Sequence, residues 1–541
     1  MAEKNDKPIS QFEERTVLSG NEMIPFAESG KNGKIKSSLL KGLKGDKGDK
    51  GDTGAKGEKG DPGLKGDKGD AGKSAYQLAV DGGYKGTEAE FSSILSGLPE
   101  QELTVDKLSK QVAKNTGDIK SLNEFVYEDE YYGIEFDTAV SSPECTRIGK
   151  VELHKSLPAH NLRGCLLNDN GDRVKYLNEK DWTGEVLDGS QGQVMVEISH
   201  YRRFETDGTK RRVKLSKYPL AGYHQVRMYV SAYQATVERS TSKLASVKNT
   251  SAGYRGGSNN ASWDGTYRSS LGVPATSINL TNFRNYARKR KAGSSEWNCM
   301  LYEAQKALYW LFAVEYATLD TQKAYNAELT AEGFRQGGLG AGVTNLDWGK
   351  WSAFNGNNPF VPCGFTDSLG NGTGTMPFTM PDEYGTLVTN VPRYRGIENP
   401  FGHVWHWTDG IKVRISPTVE NGGDGLSKVF ICKDPALFKD SGYDGYTYVG
   451  DEARNEGYVK EVIFGDGGEI MPLVCTGGGS TTYHCDYHYT NIPTAETPRG
   501  VLFGGHAASG SRAGFACATS GAVPSSSNAS VGSRLCFLPH E

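Results

Sequence analysis

The side chains best suited to chemistry lie together in Tyr483-His484-Cys485-Asp486-Tyr487-His488-Tyr489. In an extended strand alternate side chains share a face, which would place His484, Asp486 and His488 on one side and Tyr487 and Tyr489 on the other. Imidazole and carboxylate groups on one side could hold a transition metal. The alternative is a binding surface, because tyrosine offers rigid amphipathic area at low entropic cost. We favour the binding surface, with no metal and no cofactor.

A second stretch, 506–518, is made mostly of small residues and carries His506, Arg512 and Phe515 as its predicted contacts. Small polar side chains adapt to a partner, and an arginine could hold an anionic group through two parallel hydrogen bonds. With the serines that follow, the two stretches predict one binding face. Its predicted contact residues are Tyr483, His484, Asp486, Tyr487, His488, Tyr489, Asn491, His506, Ala507, Ala508, Ser509, Ser511, Arg512, Phe515, Ala516, Ala518, Ser520, Ser525 and Ser527.

The pattern that organises the rest of the chain lies far upstream, between Gly42 and Ser74, where glycine recurs at every third position. Three polyproline-II-like chains can wind about one axis only where a residue without a side chain faces that axis. The stretch therefore predicts a collagen triple helix over 42–74, roughly 100 Å long at about 3 Å per residue, and a homotrimer. A flexible glycine-rich linker is the alternative, but it requires no such period.

Charged triplets replace proline in this repeat, which contains Pro62 alone. Lysine precedes Gly-Asp or Gly-Glu at seven positions between Lys44 and Lys68. Staggered neighbouring chains can pair each lysine with an acid, and each exposed pair contributes about 0.2–1 kcal/mol. Such a ladder suits a bacterial or viral collagen, which has no hydroxyproline.

The segment before the repeat is predicted to serve attachment, and the segment after it is predicted to align the three chains. Two apolar runs around the glycines and asparagines of residues 1–41 predict a β-hairpin. This segment resembles the N-terminal attachment region of phage tail fibres, which implies binding to the phage tail or baseplate. A disordered leader is the alternative.

Residues 75–130 predict a helical trimerisation cap and a coiled coil. Two short helices are expected at 74–80 and 86–95, the second capped by Thr87 and Glu90, and the stretch resembles the cap that ends collagen repeats in bacterial and phage proteins. Apolar residues then alternate at spacings of three and four from Val105 to Val126, with Asn115 as the one polar seam residue. That spacing is typical of a coiled coil, although a single amphipathic helix also fits it.

The remainder predicts two globular domains. Residues 131–249 show period-two strands with Gly and Asp turns, which indicates a β-rich domain whose Cys145 and Cys165 are core thiols. Residues 250–541 are rich in Gly, Asn, Tyr and Trp, which favours short strands and long ordered loops. One helix is expected from Ser295 to Leu319. The glycines at 337–342 lack the Lys and Ser/Thr of a phosphate-binding loop.

The stretch 400–410, Pro-Phe-Gly-His-Val-Trp-His-Trp-Thr-Asp-Gly, resembles the Gly-x-Val-Trp-x-Trp-x-x-Asp signature of the formylglycine-generating-enzyme subclass of C-type lectin folds. Gly402, Trp405 and Trp407 match, while the aspartate comes one position early. The end of the chain is similar to that subclass's terminal Gly-Phe-Arg strand through Gly532 and Arg534, with a serine in place of Phe. The resemblance implies an α+β C-type lectin fold over 250–541, and more narrowly a variable protein of the diversity-generating retroelements carried on phage tail fibres.

The amino-acid usage near the C terminus favours the same family. Retroelement mutagenesis rewrites adenines in the first two positions of codons such as AAC, and an NNC codon cannot encode Lys, Glu, Gln, Met or Trp. Between Pro472 and His540 the chain contains one residue of these five types, Glu496. An ordinary lysine-poor loop region is the alternative.

These patterns predict a trimeric phage tail-fibre adhesin, a virion protein made in the host cytoplasm and released by lysis, that binds a protein or glycan receptor on the host surface. A net charge of −4 argues against nucleic acid, and the absence of a leader and of a long apolar run argues against secretion and membrane insertion. An enzyme is the alternative, either a formylglycine-type oxidase using Cys517 and Cys536 or a polysaccharide depolymerase, although no convincing carboxylate pair is present. A bacterial surface adhesin is the other alternative.

Overall fold

The computed structural model describes residues 23–28, 31–36, 74–94, 110–111, 114–115, 130–156, 162–381, 385 and 387–539. The predicted collagen repeat lies outside the described residues except for Ser74, and so does most of the predicted coiled coil, of which 110–111 and 114–115 are helical. The chain divides into two compact units, Met1–Glu100 and Gln101–Glu541. Within the described segments, no helix combines the length and the apolar composition needed to cross a bilayer.

The first unit contains the predicted hairpin. Strands β1 (Met23–Glu28) and β2 (Lys31–Lys36) pair antiparallel, with Glu28 opposite Lys31. This confirms the predicted hairpin within residues 1–41, over the parts of the two runs that the structure describes.

The two short helices of the first unit are also confirmed. Helix α1 is Ala75–Asp81 and helix α2 covers 88–94. Ser74 Oγ accepts from the Gln77 backbone while Gln77 Oε1 accepts from the Ser74 backbone, and Thr87 and Glu90 make the same reciprocal pair. Each pair satisfies backbone N–H groups that a helix start leaves free.

The second unit is β-rich, as predicted for 131–249. Its first strands are β3 (Tyr132–Asp137), β4 (Thr146–Gly149), β5 (Arg163–Leu167), β6 (Arg173–Tyr176), β7 (Gln193–Asp207), β8 (Lys210–Ser216), β9 (His224–Ser231), β10 (Thr236–Glu238) and β11 (Lys243–Ala245). β7 pairs with β5, β8 and β9 and is the longest of these strands. Buried and exposed side chains alternate along much of β7, because one face of this antiparallel layer packs on the core.

Elements after residue 250 are mostly short. They are α3 (Leu280–Arg288), β12 (Trp297–Leu301), α4 (Tyr302–Tyr316), β13 (Tyr325–Leu329), β14 (Arg335–Gly337), α5 (Trp348–Asn355), β15 (Gly374–Thr379), β16 (Val388–Tyr394), β17 (Ile397–Glu398), β18 (Trp405–Ile415), β19 (Ser427–Ile431), β20 (Thr447–Asp451), β21 (Gly457–Tyr458), β22 (Glu461–Phe464), β23 (Glu469–Val474), β24 (Tyr487–Tyr489), β25 (Thr497–Gly504), β26 (Gly514–Thr519), β27 (Val531–Gly532) and β28 (Leu535–Phe537).

The helix predicted from Ser295 to Leu319 is wrong in its first part. Residues 297–301 form β12, which pairs antiparallel with β28 and parallel with β18, and α4 starts only at Tyr302. The run is buried on all sides, so its apolar spacing does not distinguish a helix from a central strand. Every residue of α4 except Glu303 is buried, which makes this helix the core about which the strands pack.

The sheet does not break at the predicted domain boundary between residues 249 and 250. β28 pairs with β9, with Cys536 opposite Val230, and its other edge pairs with β12. Backbone hydrogen bonds therefore run continuously from the strands of 131–249 into those of 250–541.

The fold-signature residues come together around β18. Trp405 and Trp407 are buried on this strand, and His406 lies opposite Gly532 of β27. Gly402 just before the strand has φ +70°, and an added Cβ would lie 2.8 Å from the Thr344 methyl carbon, so glycine is required there. Arg534 is fully buried and donates to the carbonyls of Ser231, Glu398 and Asn399.

Candidate functional site

Six rings form a continuous row along one side of the second unit, named here the aromatic row. Its members, in order of contact, are Tyr458, Tyr487, Tyr489, Trp405, His506 and Trp348. Successive ring centroids are 5.1, 4.6, 5.9, 6.0 and 5.2 Å apart. These separations are in the range of favourable aromatic contacts.

Strand pairing places the tyrosines. β21 pairs antiparallel with β24, which sets Tyr458 opposite Tyr487, and β24 runs parallel to β26. The period of two turns Tyr487 and Tyr489 to the half-buried side while His488 is fully buried. The predicted alternation of these three side chains is therefore confirmed.

His506 joins the tyrosines to the tryptophans. Its Nδ1 accepts from the Ala508 backbone at 3.1 Å, and its ring also lies 5.7 Å from Trp351. Burial lowers the pKa of His506 to about 4, so this imidazole is neutral at physiological pH. Trp348, on α5, is 46% exposed and gives the row its most open apolar surface.

Arg512 provides the cation of this surface. It is exposed, and its guanidinium carbon lies 4.9 Å from the ring centre of Tyr487. The neighbouring Ser511 hydroxyl is 2.8 Å from the Tyr458 hydroxyl. In the described part of the chain no carboxylate pairs with Arg512, so its charge is available to an anionic group.

Nine predicted contact residues are instead in the interior. Side chains that are at most 8% exposed offer no surface to a partner, so these assignments are wrong for the folded chain. They are His484, Asp486, His488, Ala507, Ser509, Phe515, Ala516, Ala518 and Ser520. Phe515 shows the reason, because β26 is covered by α4 and its ring packs 5.8 Å from that of Phe312.

The three residues considered for a metal each have their own interior partner. His484 Nδ1 lies 2.8 Å from the Tyr309 hydroxyl, Asp486 accepts from the Ala516 backbone at 2.7 Å, and His488 Nε2 lies 3.1 Å from the Ala453 carbonyl. Burial lowers the pKa of His484 to about 3 and raises that of Asp486 well above its usual range. Among the described residues, no three His, Cys, Asp or Glu side chains are grouped as metal ligands.

Asp486 also explains why residue 514, in the stretch 506–518, is a glycine. Gly514 has φ +150°, and an added Cβ would lie 1.7 Å from Asp486 Oδ1. The buried carboxyl thus occupies the space of a side chain, and β26 can begin at this point only with glycine.

The other predicted contacts lie at the surface but outside the row. Asn491, Ser525 and Ser527 are exposed, and Ala508 and Tyr483 are half-buried. The Tyr483 backbone donates to the Ser141 carbonyl at 2.7 Å, which ties its loop to the segment after β3.

The cysteines considered for an oxidase are both fully buried. Cys517 lies within β26, and the Cys536 thiol is 3.9 Å from the Met300 sulfur. Burial raises the pKa of the Cys536 thiol to about 12 and that of Cys517 well above its usual range. The thiolate is the reactive form, and raised pKa values keep both thiols protonated, which disfavours nucleophilic or redox chemistry at either cysteine.

Sequence reasoning missed two surface members of the row, Tyr458 and Trp348. Tyr458 belongs to a two-residue strand whose partner is about thirty positions away in the chain. A local sequence pattern does not predict such a pairing. Trp405, which belongs to the predicted fold signature, is 8% exposed and forms the buried link between Tyr489 and His506. Trp348 is the first residue of α5, and 46% of its side chain stays exposed although its ring lies 5.7 Å from that of the buried Trp351.

No family model and no curated protein matches the chain. It is similar to a solved structure named Major Tropism Determinant U1 Variant, with 12% sequence identity, over 70% of this chain and 72% of that one, at a TM-score of 0.22. A likeness at that TM-score carries no argument about the fold or function of this chain.

Proposed function

We propose that this chain is a phage tail-fibre adhesin that binds a host surface receptor through the aromatic row and Arg512. One observation carries the proposal: the continuous row of six rings, each in contact with the next, beside a guanidinium that pairs with no carboxylate among the described residues. Tyrosine, tryptophan and arginine dominate the energetics of protein interfaces. Tyrosine and tryptophan bury large areas and lose little conformational freedom, and the planar guanidinium of arginine makes several directed hydrogen bonds.

The chemistry of the row suits recognition better than catalysis. Its histidine is neutral, its tyrosines are held by ring contacts, and its cation Arg512 pairs with no carboxylate among the described residues. We propose accordingly that the chain is not an enzyme and needs no cofactor. In this proposal the second unit carries a C-type lectin fold, and the exposed positions around the row are those rewritten by a retroelement.

The glycine repeat supports the trimeric part of the proposal. Three linked copies of a weak site can exceed the affinity of one site by 10² or more. The N-terminal hairpin would bind the phage tail, and the repeat would hold the three faces away from the particle.

The test compares binding of full-length variants to cells of the bacterium that the phage infects. Tyr487→Ala and Arg512→Ala each remove a central contact, and truncating such a residue costs about 2 kcal/mol, or roughly thirtyfold in single-site affinity. Tyr448→Ala is the matched control, since this tyrosine of β20 is 49% exposed and is not part of the row. If both row variants bind cells as wild type does, the proposed face is wrong.

A further inference from the structure

A cavity of about 500 Å³ in the second unit shares no lining residue with the aromatic row. Its walls come from β9, from the junction of β12 and α4, from β18 and from the segment 432–438, and Leu538 and Pro539 complete them. Its volume is within the roughly 300–1,000 Å³ of small-molecule sites. The cavity is therefore large enough for an organic ligand.

The floor of this cavity is apolar. Val226, Met228, Leu301 and Phe438 line it and are each at most 8% exposed, and the half-buried Leu538 adds to them. Such a floor favours the hydrocarbon part of a ligand, because covering it removes apolar surface from water.

One wall carries an incompletely bonded arginine. Arg202 is 5% exposed and pairs with Glu303 through Nη2 at 2.5 Å. Its Nη1 is buried and has no hydrogen-bond partner among the described residues. Buried polar groups are nearly always bonded, so this nitrogen, on a side chain that lines the cavity, leaves one donor to which an acceptor could bind.

The opening of the cavity carries surplus positive charge. Arg227 and Lys433 are exposed there, and neither pairs with a carboxylate in the described part of the chain. The two acids of the lining are already engaged, since Asp409 binds Arg284 at 2.5 Å and Glu303 is shared by Arg202 and Lys306.

We propose that this cavity binds a small organic anion, with an apolar body on the floor and a carboxylate or phosphate that accepts from Arg202 Nη1. Lys433 and Arg227 would attract the same group at the opening. This is a second binding site, independent of the proposed receptor face. It requires binding alone and no covalent step.

Fluorescence titration of the full-length chain with 8-anilinonaphthalene-1-sulfonate tests the site, because this probe joins an aromatic body to one anionic group. We expect one saturable site per chain, displaced by octanoate or phenyl phosphate and at least tenfold less well by octanol or inorganic phosphate. Arg202→Gln should weaken binding by roughly 10–100-fold, the effect of losing a charge-assisted hydrogen bond. Arg203→Gln, at the next and exposed position of β7, and Tyr448→Ala, at an exposed position of β20 outside the cavity and the aromatic row, should leave it unchanged.

Lys433→Gln keeps the test decisive if Arg202→Gln does not fold, because Lys433 is exposed and makes no ion pair among the described residues. We expect it to weaken binding by about threefold, as for one exposed charge. Absence of saturable binding overturns the proposal, as does equal competition by octanol and octanoate. Unchanged affinity in every folded variant of the cavity overturns it too.

Discussion

Glu452, which lies directly after β20, should make a large contribution to the pH dependence of stability. This side chain is 4% exposed, and its Oε1 accepts from the Ser520 hydroxyl at 2.6 Å, while Oε2 has no hydrogen-bond partner among the described residues. Burial raises the pKa of Glu452 from its ordinary 4.5 to about 8. Ionising this carboxyl in the folded chain therefore costs much more than ionising it in the unfolded chain.

The direction of this pH effect depends on whether the folded or the unfolded state holds the Glu452 proton. Below pH 4.5 both states are protonated, and above about pH 8 both are ionised. Between these values the folded state holds one more proton, so the free energy of unfolding falls as pH rises. At about 1.4 kcal/mol per pH unit over about 3.5 units, the loss is about 5 kcal/mol, which is a large part of the roughly 5–15 kcal/mol that stabilises a domain.

Glu452→Gln removes the ionisation and keeps the shape of the side chain. Urea unfolding followed by tryptophan fluorescence at pH 5, 7 and 8.5 reports on the second unit, which contains all eight tryptophans. We expect the variant to gain stability relative to wild type as pH rises, with most of the gain reached by pH 8.5. Glu456→Gln, at an exposed position, controls for the loss of one negative charge. Parallel pH profiles for wild type and Glu452→Gln would refute the reasoning.

Two further predictions concern stability. Arg534→Met should reduce the free energy of unfolding of the second unit by about 3–5 kcal/mol, because it leaves the carbonyls of Ser231, Glu398 and Asn399 without their buried donor; a loss below 1 kcal/mol in urea unfolding would contradict this. Gly57→Ala should lower the melting temperature of the predicted triple helix, followed by circular dichroism, because a methyl group does not fit at its axis. If sedimentation shows single chains for the parent protein, the trimer itself is wrong.

Local patterns in the sequence were sufficient where a structure depends on near neighbours. The hairpin of β1 and β2, the capping pairs at Ser74 and Thr87, and the alternation of Tyr487, His488 and Tyr489 all follow from spacing within a few residues. The glycine repeat is likewise a local pattern that predicts one structure, the triple helix. That triple helix stays a prediction because its residues, apart from Ser74, lie outside the described ones.

Tertiary structure decided which of these side chains reach the surface. Periodicity tells which residues share a face, but what packs against that face determines whether it is buried, and α4 covers the side of β26 that carries Phe515. The same helix and its neighbours turned Trp297–Leu301 into a strand, since β18 and β28 supply hydrogen-bond partners on both edges. The aromatic row is likewise a product of distant pairings between short strands and loops. Spacing within a few residues is therefore enough to predict the local elements and the residue types of a binding surface, while long-range packing selects which of those residues form it.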